Sequence, residues 1–402
     1  MTVNRLILIP IILGLAILPG CWSRKELNEL AVIMALGIDK DDKGYMVTAQ
    51  VINPSEIGLQ RGSVGASPVI VYSAPGQTIP DALQRILSQA PRKLYLSHMR
   101  VLIFGEALAR DGLSDVLDYI SRNSEFRTDF YLAVTQGGKA ADVLQVLTPF
   151  EHIPANSLYS SILVSNKQWA ATGKVTLQQF VTELSRDGAN PVMSGVEISG
   201  DKQQGKTVSN LHSVKPKAQL RHAGLALFKG DKLVGWADES TSKSINYLLR
   251  NVHTTVGYVK CPKHKPGIVG ISINQSSAHI RVKLNQEGEP EFWVDFQIDA
   301  DLEAVQCSID LTQEESFRLI EIELKEAMRV LTLQSINTIR EKYGTDVFGF
   351  GEALHRKYPK QWNKYRDHWS DKFRQVQISI EPHVSLRRIG SIGQPLRSEV
   401  HE

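Results

Sequence analysis

The chain has 402 residues and a formal charge of +3, with 42% hydrophobic and 22% charged residues. That length suits two or three domains of ordinary size, and that composition can build real cores. Charge is nearly balanced and never gathers into a long run of one sign, which argues against a nucleic-acid partner.

The N-terminus carries Arg5, then an apolar run from Leu6 to Leu18, then Leu18-Pro19-Gly20-Cys21-Trp22. A membrane-spanning helix needs roughly 20 apolar residues, so this run is too short to span and fits the apolar region of an export signal. It ends on a small residue followed by cysteine, the arrangement of a bacterial lipoprotein signal. Pro19 stands where such signals usually carry a small residue. Cys21 is therefore expected to take a diacylglyceryl group and to tether an extracytoplasmic domain by its first residue. The expected organisation is a signal peptide over 1–20, an N-terminal α+β region over 21–199, a polar linker over 200–221, a C-terminal α+β domain over 222–390 and a loose tail over 391–402.

Ala31 to Ile38 reads as a buried strand, and Tyr45, Val47, Ala49 and Val51 recur at period two, with a hairpin turn at Lys40 to Gly44. Gly58 to Pro68 reads as a loop and Val69 to Tyr72 as a short strand. Thr78 starts a helix with Asp81 three residues on, which Pro91 ends. A strand over Met99 to Phe104 precedes one helix over Glu106 to Asn123, then a strand over Phe130 to Thr135. Leu177, Phe180, Val181 and Leu184 mark a further helix. Gly224 to Lys229 and Leu233 to Trp236 flank a Gly230-Asp231 turn. Ser240 to His253 reads as helix. Ile268 to Asn274, His279 to Leu284, Phe292 to Ile298 and Leu302 to Ser308 read as a series of strands. Thr312 is expected to cap a helix running to Tyr343, with Gly344 just past its end. Val376, Ile378 and Ile380 alternate as a last strand. The irregular order of elements implies α+β, with mixed or antiparallel sheets and packed helices.

Gly200 to Thr207 matches G-x-x-x-x-G-K-[ST], but a phosphate-binding loop needs a buried strand before it and a helix directly after it. The flanks here are a weak strand and a β-branched, turn-forming stretch, so the segment reads as a polar surface loop. Gly349-Phe350-Gly351 lacks the third glycine of a dinucleotide fingerprint and reads as a tight turn. His98 reads as a structural histidine, and the aromatic stretch from Trp362 to Trp369 as a satellite core. Cys261-Pro262-Lys263-His264 has no second ligand pair at zinc spacing. For Cys261 and Cys307, one disulfide and two buried thiols both stay open. No catalytic, cofactor or metal residue stands out.

Taken in order, Gly20-Cys21-Trp22, Glu26 to Leu30, Gly37-Ile38-Asp39, Ser97-His98, Gly105-Glu106 with Leu108-Ala109, Glu125-Phe126-Arg127, the Gly224 to Trp236 hairpin and Asp346 to Gly351 resemble the Ger(x)C spore germination lipoproteins. The resemblance implies a three-domain α+β fold without assigned catalytic activity or cofactor. It further implies a C-type subunit of a nutrient germinant receptor, on the outer face of the inner spore membrane. Its partners would be the A-type and B-type integral membrane subunits and, through Cys21, the bilayer. The competing readings are an extracytoplasmic substrate-binding lipoprotein of an importer, for which the element order is too irregular, and a membrane-held cell-wall hydrolase.

Overall fold

The computed structural model describes residues 29–54 and 67–387. The signal segment, Cys21, most of the Gly58 to Pro68 loop and the 391–402 tail lie outside the described residues.

The first sheet opens with the hairpin of β1 (Leu30–Asp41) and β2 (Gly44–Ile52), followed by β3 (Val69–Gly76). Helix α1 (Ile79–Ile86) leads to the short β4 (Lys93–Tyr95) and to β5 (Val101–Phe104). Then come α2 (Glu106–Asp111), α3 (Ser114–Arg122), β6 (Tyr131–Thr135), α4 (Ala140–Gln145), α5 (Pro154–Gln168) and α6 (Leu177–Leu184). Strand β7 (Val192–Gly200) and the short α7 (Lys202–Gly205) precede the hairpin of β8 (Ala218–Lys229) and β9 (Lys232–Ala237). The strand order is β3-β2-β1-β5-β6-β7-β8-β9, with β4 beside β1. Strands β1, β5, β6 and β7 run parallel, and their partners at either side run antiparallel.

One face of this sheet packs a core that includes Leu36, Phe104, Phe180 and Phe228 under α1, α2, α3 and α6. The other face packs Ala35, Ile103 and Ala133 against α4 and α5. Covering both faces explains why β2 buries Thr48 and Gln50 as fully as Val47 and Ala49. Gln50 is satisfied there, donating to the Leu144 carbonyl at 2.7 Å and accepting from the Ala155 amide at 3.1 Å.

Helix α8 (Glu239–Leu248) carries the chain into a second sheet. That sheet is β10 (Thr255–Lys260), β11 (Ile268–Leu284), β12 (Pro290–Val305) and β13 (Gln377–Arg387), in that order, with β13 parallel to β12. Between β12 and β13 lie α9 (Glu314–Lys342), α10 (Phe350–Lys357), α11 (Pro359–Tyr365) and α12 (Trp369–Gln375). They cover the inner face, where Phe292, Val294 and Phe296 meet Trp362, Trp369 and Phe373 in one core. The aromatic stretch is thus buried under the last strands. The outer face is polar, with Arg281 of β11 bridging Asp295 of β12 and Glu381 of β13.

Four expectations need correction. The helix expected over Glu106 to Asn123 is two helices, because the Asp231 carboxylate accepts the Leu113 and Ser114 amides at 3.1 and 3.0 Å and Gly112 turns at φ +138°. The helix starting after Thr78 ends at Ile86, before Pro91 is reached. Thr312 does not cap α9: its amide and hydroxyl both donate to Asp310, and Gln313 occupies the cap position. The four strands expected between Ile268 and Ser308 are two long ones, each carried through an irregularity in pairing near Ile273 to Gln275 and Leu302 to Ala304.

Candidate functional site

Three segments of the family pattern, Gly37-Ile38-Asp39 with Gly105-Glu106 and Asp346 to Gly351, build two places, each holding a buried carboxylate. The first is the carboxyl end of the parallel strands. Asp39, near the end of β1, is 3% exposed and accepts the Ala140 and Ala141 amides at 2.8 and 3.0 Å, holding the first turn of α4. Burial pushes its carboxyl above the ordinary value, and the two amide hydrogen bonds offset this only in part. Gly105, after β5, leaves room for that carboxylate: a Cβ there would fall inside contact distance of Asp39 Oδ1. Gly105→Ala is therefore expected to cost about 1–3 kcal/mol through displacement of Asp39. Gly257→Ala, where a Cβ meets open space, should leave the urea midpoint unchanged.

Glu106 follows directly. Its Oε2 accepts the Gly137 amide at 2.7 Å, and its Oε1 accepts Arg110 at 2.6 Å and Trp236 Nε1 at 3.3 Å. Burial would raise its carboxyl, but these hydrogen bonds outweigh it and hold the group below its ordinary value. The β8–β9 hairpin thereby reaches α2 through Trp236 and α3 through Asp231. Beside this set lies a cleft of about 440 Å³ lined by Lys40, Asp41, Asp42, Tyr45, Asp111 and Asp115. Lys40 pairs with Asp111 at 2.8 Å across it.

The second place is the loop Asp346 to Gly351, between α9 and α10. Asp346 is 1% exposed. Its Oδ1 accepts the amides of Phe348, Gly349 and Phe350 at 3.1, 3.0 and 3.3 Å. Its Oδ2 accepts the Gly351 amide at 2.8 Å and Trp369 Nε1 at 3.0 Å. Burial pushes this carboxyl upward against those five donors. Gly349, at φ +88°, turns the backbone so that the amides converge. The loop also joins the two sheets. The Asn190 amide donates to the Asp346 carbonyl, the Thr345 hydroxyl to the Phe228 carbonyl, and the Glu352 amide to the Gly188 carbonyl.

The other sequence candidates are placed apart from both. His98 is exposed and lies edge-on to Tyr95. The Gly200 to Thr207 segment connects antiparallel β7 and β8, so its helix is one four-residue turn rather than the helix of a phosphate loop. Within it Lys206 pairs with Asp142 at 2.8 Å and the Thr207 hydroxyl donates to the Gln204 carbonyl. Strands β8 and β9 continue the first sheet beyond residue 221. Cys261 and Cys307 form a disulfide. Among the described residues no group of three or more His, Cys, Asp or Glu is arranged to hold a metal, and no helix is long and apolar enough to cross a membrane.

Sequence reasoning named Asp39 and Asp346 as parts of a pattern but missed what they do. The available signal was an acidic residue ending a strand or preceding a glycine-rich helix start. The arrangement spends these carboxylates on backbone amides and indoles, so what it accomplishes is rigid placement of one element against another.

Comparison with known proteins agrees over nearly the whole chain. Residues 23–198 match the Spore germination protein N-terminal domain, and residues 223–390 match the Spore germination B3/GerAC like, C-terminal domain. Spore germination protein KC of Bacillus subtilis (strain 168) is 30% identical over 98% of each chain. Spore germination protein B3 of the same organism is 23% identical, over 93% of this chain and 95% of its own. The crystal structure of the GerBC protein shares the fold at a TM-score of 0.52 and 19% identity, covering 88% of this chain and 97% of that one. The chain belongs to the Ger(x)C family of spore germination proteins.

Proposed function

We propose that this protein is the lipid-anchored, non-catalytic C-type subunit of a nutrient germinant receptor. It would sit on the outer face of the inner spore membrane beside A-type and B-type integral membrane subunits, held by a diacylglyceryl group on Cys21. The observation that carries the reading is a family match running in order through both halves of the chain. Two structural features support it. The motif carboxylates brace the fold, as suits a scaffold, and the Cys261–Cys307 disulfide suits an exported domain. In this role the subunit packs on its partners and biases their nutrient-dependent state, which requires contacts that differ in free energy between the two states.

The test compares spores carrying Cys21→Ala, a deletion, and a control trigger that bypasses nutrient receptors. Nutrient-triggered release of small solutes should fall in both mutants while the control trigger still works. A deletion that answers every nutrient like the parent, in a strain lacking other receptors, overturns the reading.

A further inference from the structure

Two connections in the first sheet hold large apolar side chains out in water. Phe150, between α4 and α5, is 95% exposed, and Val214, between α7 and β8, is 106% exposed. They are the most exposed large apolar side chains among the described residues. Phe150 lines a groove of about 510 Å³ walled also by Leu147, Leu158, Leu220 and Pro216, the last of these being two positions along the chain from Val214. Val164, one turn beyond Ser161 of the groove wall, is 52% exposed on the same helix.

These tips stand on a braced base. Buried Asn210 donates to the carbonyls of Leu147 and Ala218 at 2.8 and 3.0 Å and accepts the Lys217 and Ala218 amides at 2.9 and 3.2 Å. The Leu147 amide donates to the Gly205 carbonyl at 2.9 Å, tying the two connections together. Burying such side chains is worth about 1.5–3 kcal/mol each, and the fold keeps both out of its own cores.

Charge selects the occupant. From Lys202 to Lys229 the chain has Lys202, Lys206, Lys215, Lys217, Arg221 and Lys229 and no Asp or Glu. Lys206 is paired with Asp142, whereas Lys215 and Lys217 are exposed and in no ion pair among the described residues. The Val214 tip, beside these unpaired cations, fits the boundary between acyl chains and anionic headgroups, where each such cation is worth about 1 kcal/mol, while Phe150, followed by Glu151, supplies the second apolar side chain. The eight residue steps from Cys21 to Glu29 span at most about 28 Å, which holds the body within reach of the bilayer.

We propose that the Phe150 and Val214 tips form a membrane contact, with both side chains entering an anionic bilayer and Lys215 and Lys217 meeting lipid phosphates. This deepens the lipid-anchored reading and rests on it.

The test reconstitutes the full lipidated chain into vesicles of phosphatidylglycerol and phosphatidylcholine, or of phosphatidylcholine alone. Phe150→Cys, Val214→Cys and, as a control in the β11–β12 turn, Glu287→Cys each carry an environment-sensitive NBD label. The unsubstituted chain treated with the same reagent gives the background, and flotation reports anchoring separately. At 150 and 214 the label should shift to the blue, brighten several-fold and be quenched by shallow spin-labelled lipid, and at 287 it should do none of these. Lys215→Glu with Lys217→Glu should weaken the response on anionic vesicles alone. Water-like labels at 150 and 214 on a chain that floats overturn the contact and leave the anchor standing. Labels that turn lipid-like with added vesicles on a chain that does not float support the contact and overturn the anchor. A response that needs the membrane subunits overturns the contact in favour of a protein partner.

Discussion

Replacing Asp346 by asparagine is expected to lower the stability of the fold by about 2–6 kcal/mol. The carboxylate serves five donors, three on Oδ1 and two on Oδ2. An amide keeps one acceptor oxygen and turns an NH₂ toward the remaining donors. If the oxygen stays with Phe348, Gly349 and Phe350, then the Gly351 amide and Trp369 Nε1 lose their partner and face another donor. Each orphaned buried donor costs about 1–3 kcal/mol. The damage should not stay in the loop. Asn190 and Thr345 connect the same loop to the first sheet, so the junction of the two sheets loosens with it. The check is a urea midpoint read by tryptophan emission, together with hydrogen exchange at residues 346–352. A midpoint equal to that of the parent would mean that water replaces the lost acceptor and that the loop is not the brace described above.

This loop also shows where sequence reading stops. The residues Asp346 to Gly351 are visible as a pattern, but a pattern does not state that a carboxylate will be buried beneath an indole 23 positions along the chain. The same limit explains the helix expected over Glu106 to Asn123. Its apolar periodicity is sound, and Leu113, Val116, Leu117 and Ile120 are all buried. What breaks it is Asp231, more than a hundred residues away. Local signals succeeded where the cause is local. The Lys40 to Gly44 turn pairs Asp41 with Gly44, the Gly230-Asp231 turn pairs Lys229 with Lys232, and Gly344 turns at φ +59° past the end of α9.

The joined strands teach a related point. In β11 the stretch Asn274 to Ser277 has no large apolar residue, because that part of the strand faces outward and bends at the irregularity. Hydropathy reads such a stretch as a break, whereas the backbone ladder to β12 shifts register past Asn274 and continues from Gln275. The rim at Phe150 and Val214 is the opposite case. Val214 lies in the stretch that reads as a polar linker and Phe150 in no predicted element, and only the fold shows that both apolar side chains are held out in water.

Removing the disulfide with Cys261→Ser and Cys307→Ser together is expected to cost about 2–5 kcal/mol. The bridge spans 46 positions, for which loop-closure entropy alone gives about 4 kcal/mol. Its placement adds a local consequence. Cys261 follows β10 directly and Cys307 follows β12, so the bridge ties an edge strand to the far side of its neighbour. Strand β10 pairs only with β11 among the described residues, and it exposes Val256 and Tyr258 at 49% and 73%. An edge strand with exposed apolar side chains, anchored at its start by the Thr254 and Thr255 hydroxyls on the Lys167 and Trp169 carbonyls, is the element that should open first when the bridge at its other end is gone. Hydrogen exchange at 255–260 should therefore rise before that of β12, and the urea midpoint should fall. The same change should follow mild reduction of the parent chain. Two buried serines are more polar than two thiols, so Cys261→Ala with Cys307→Ala is the companion variant. If the alanine pair keeps the parent's midpoint while the serine pair loses stability, the loss belongs to the buried hydroxyls and the bridge contributes nothing measurable. If both fall together and β10 exchanges first, the bridge is what closes the second sheet.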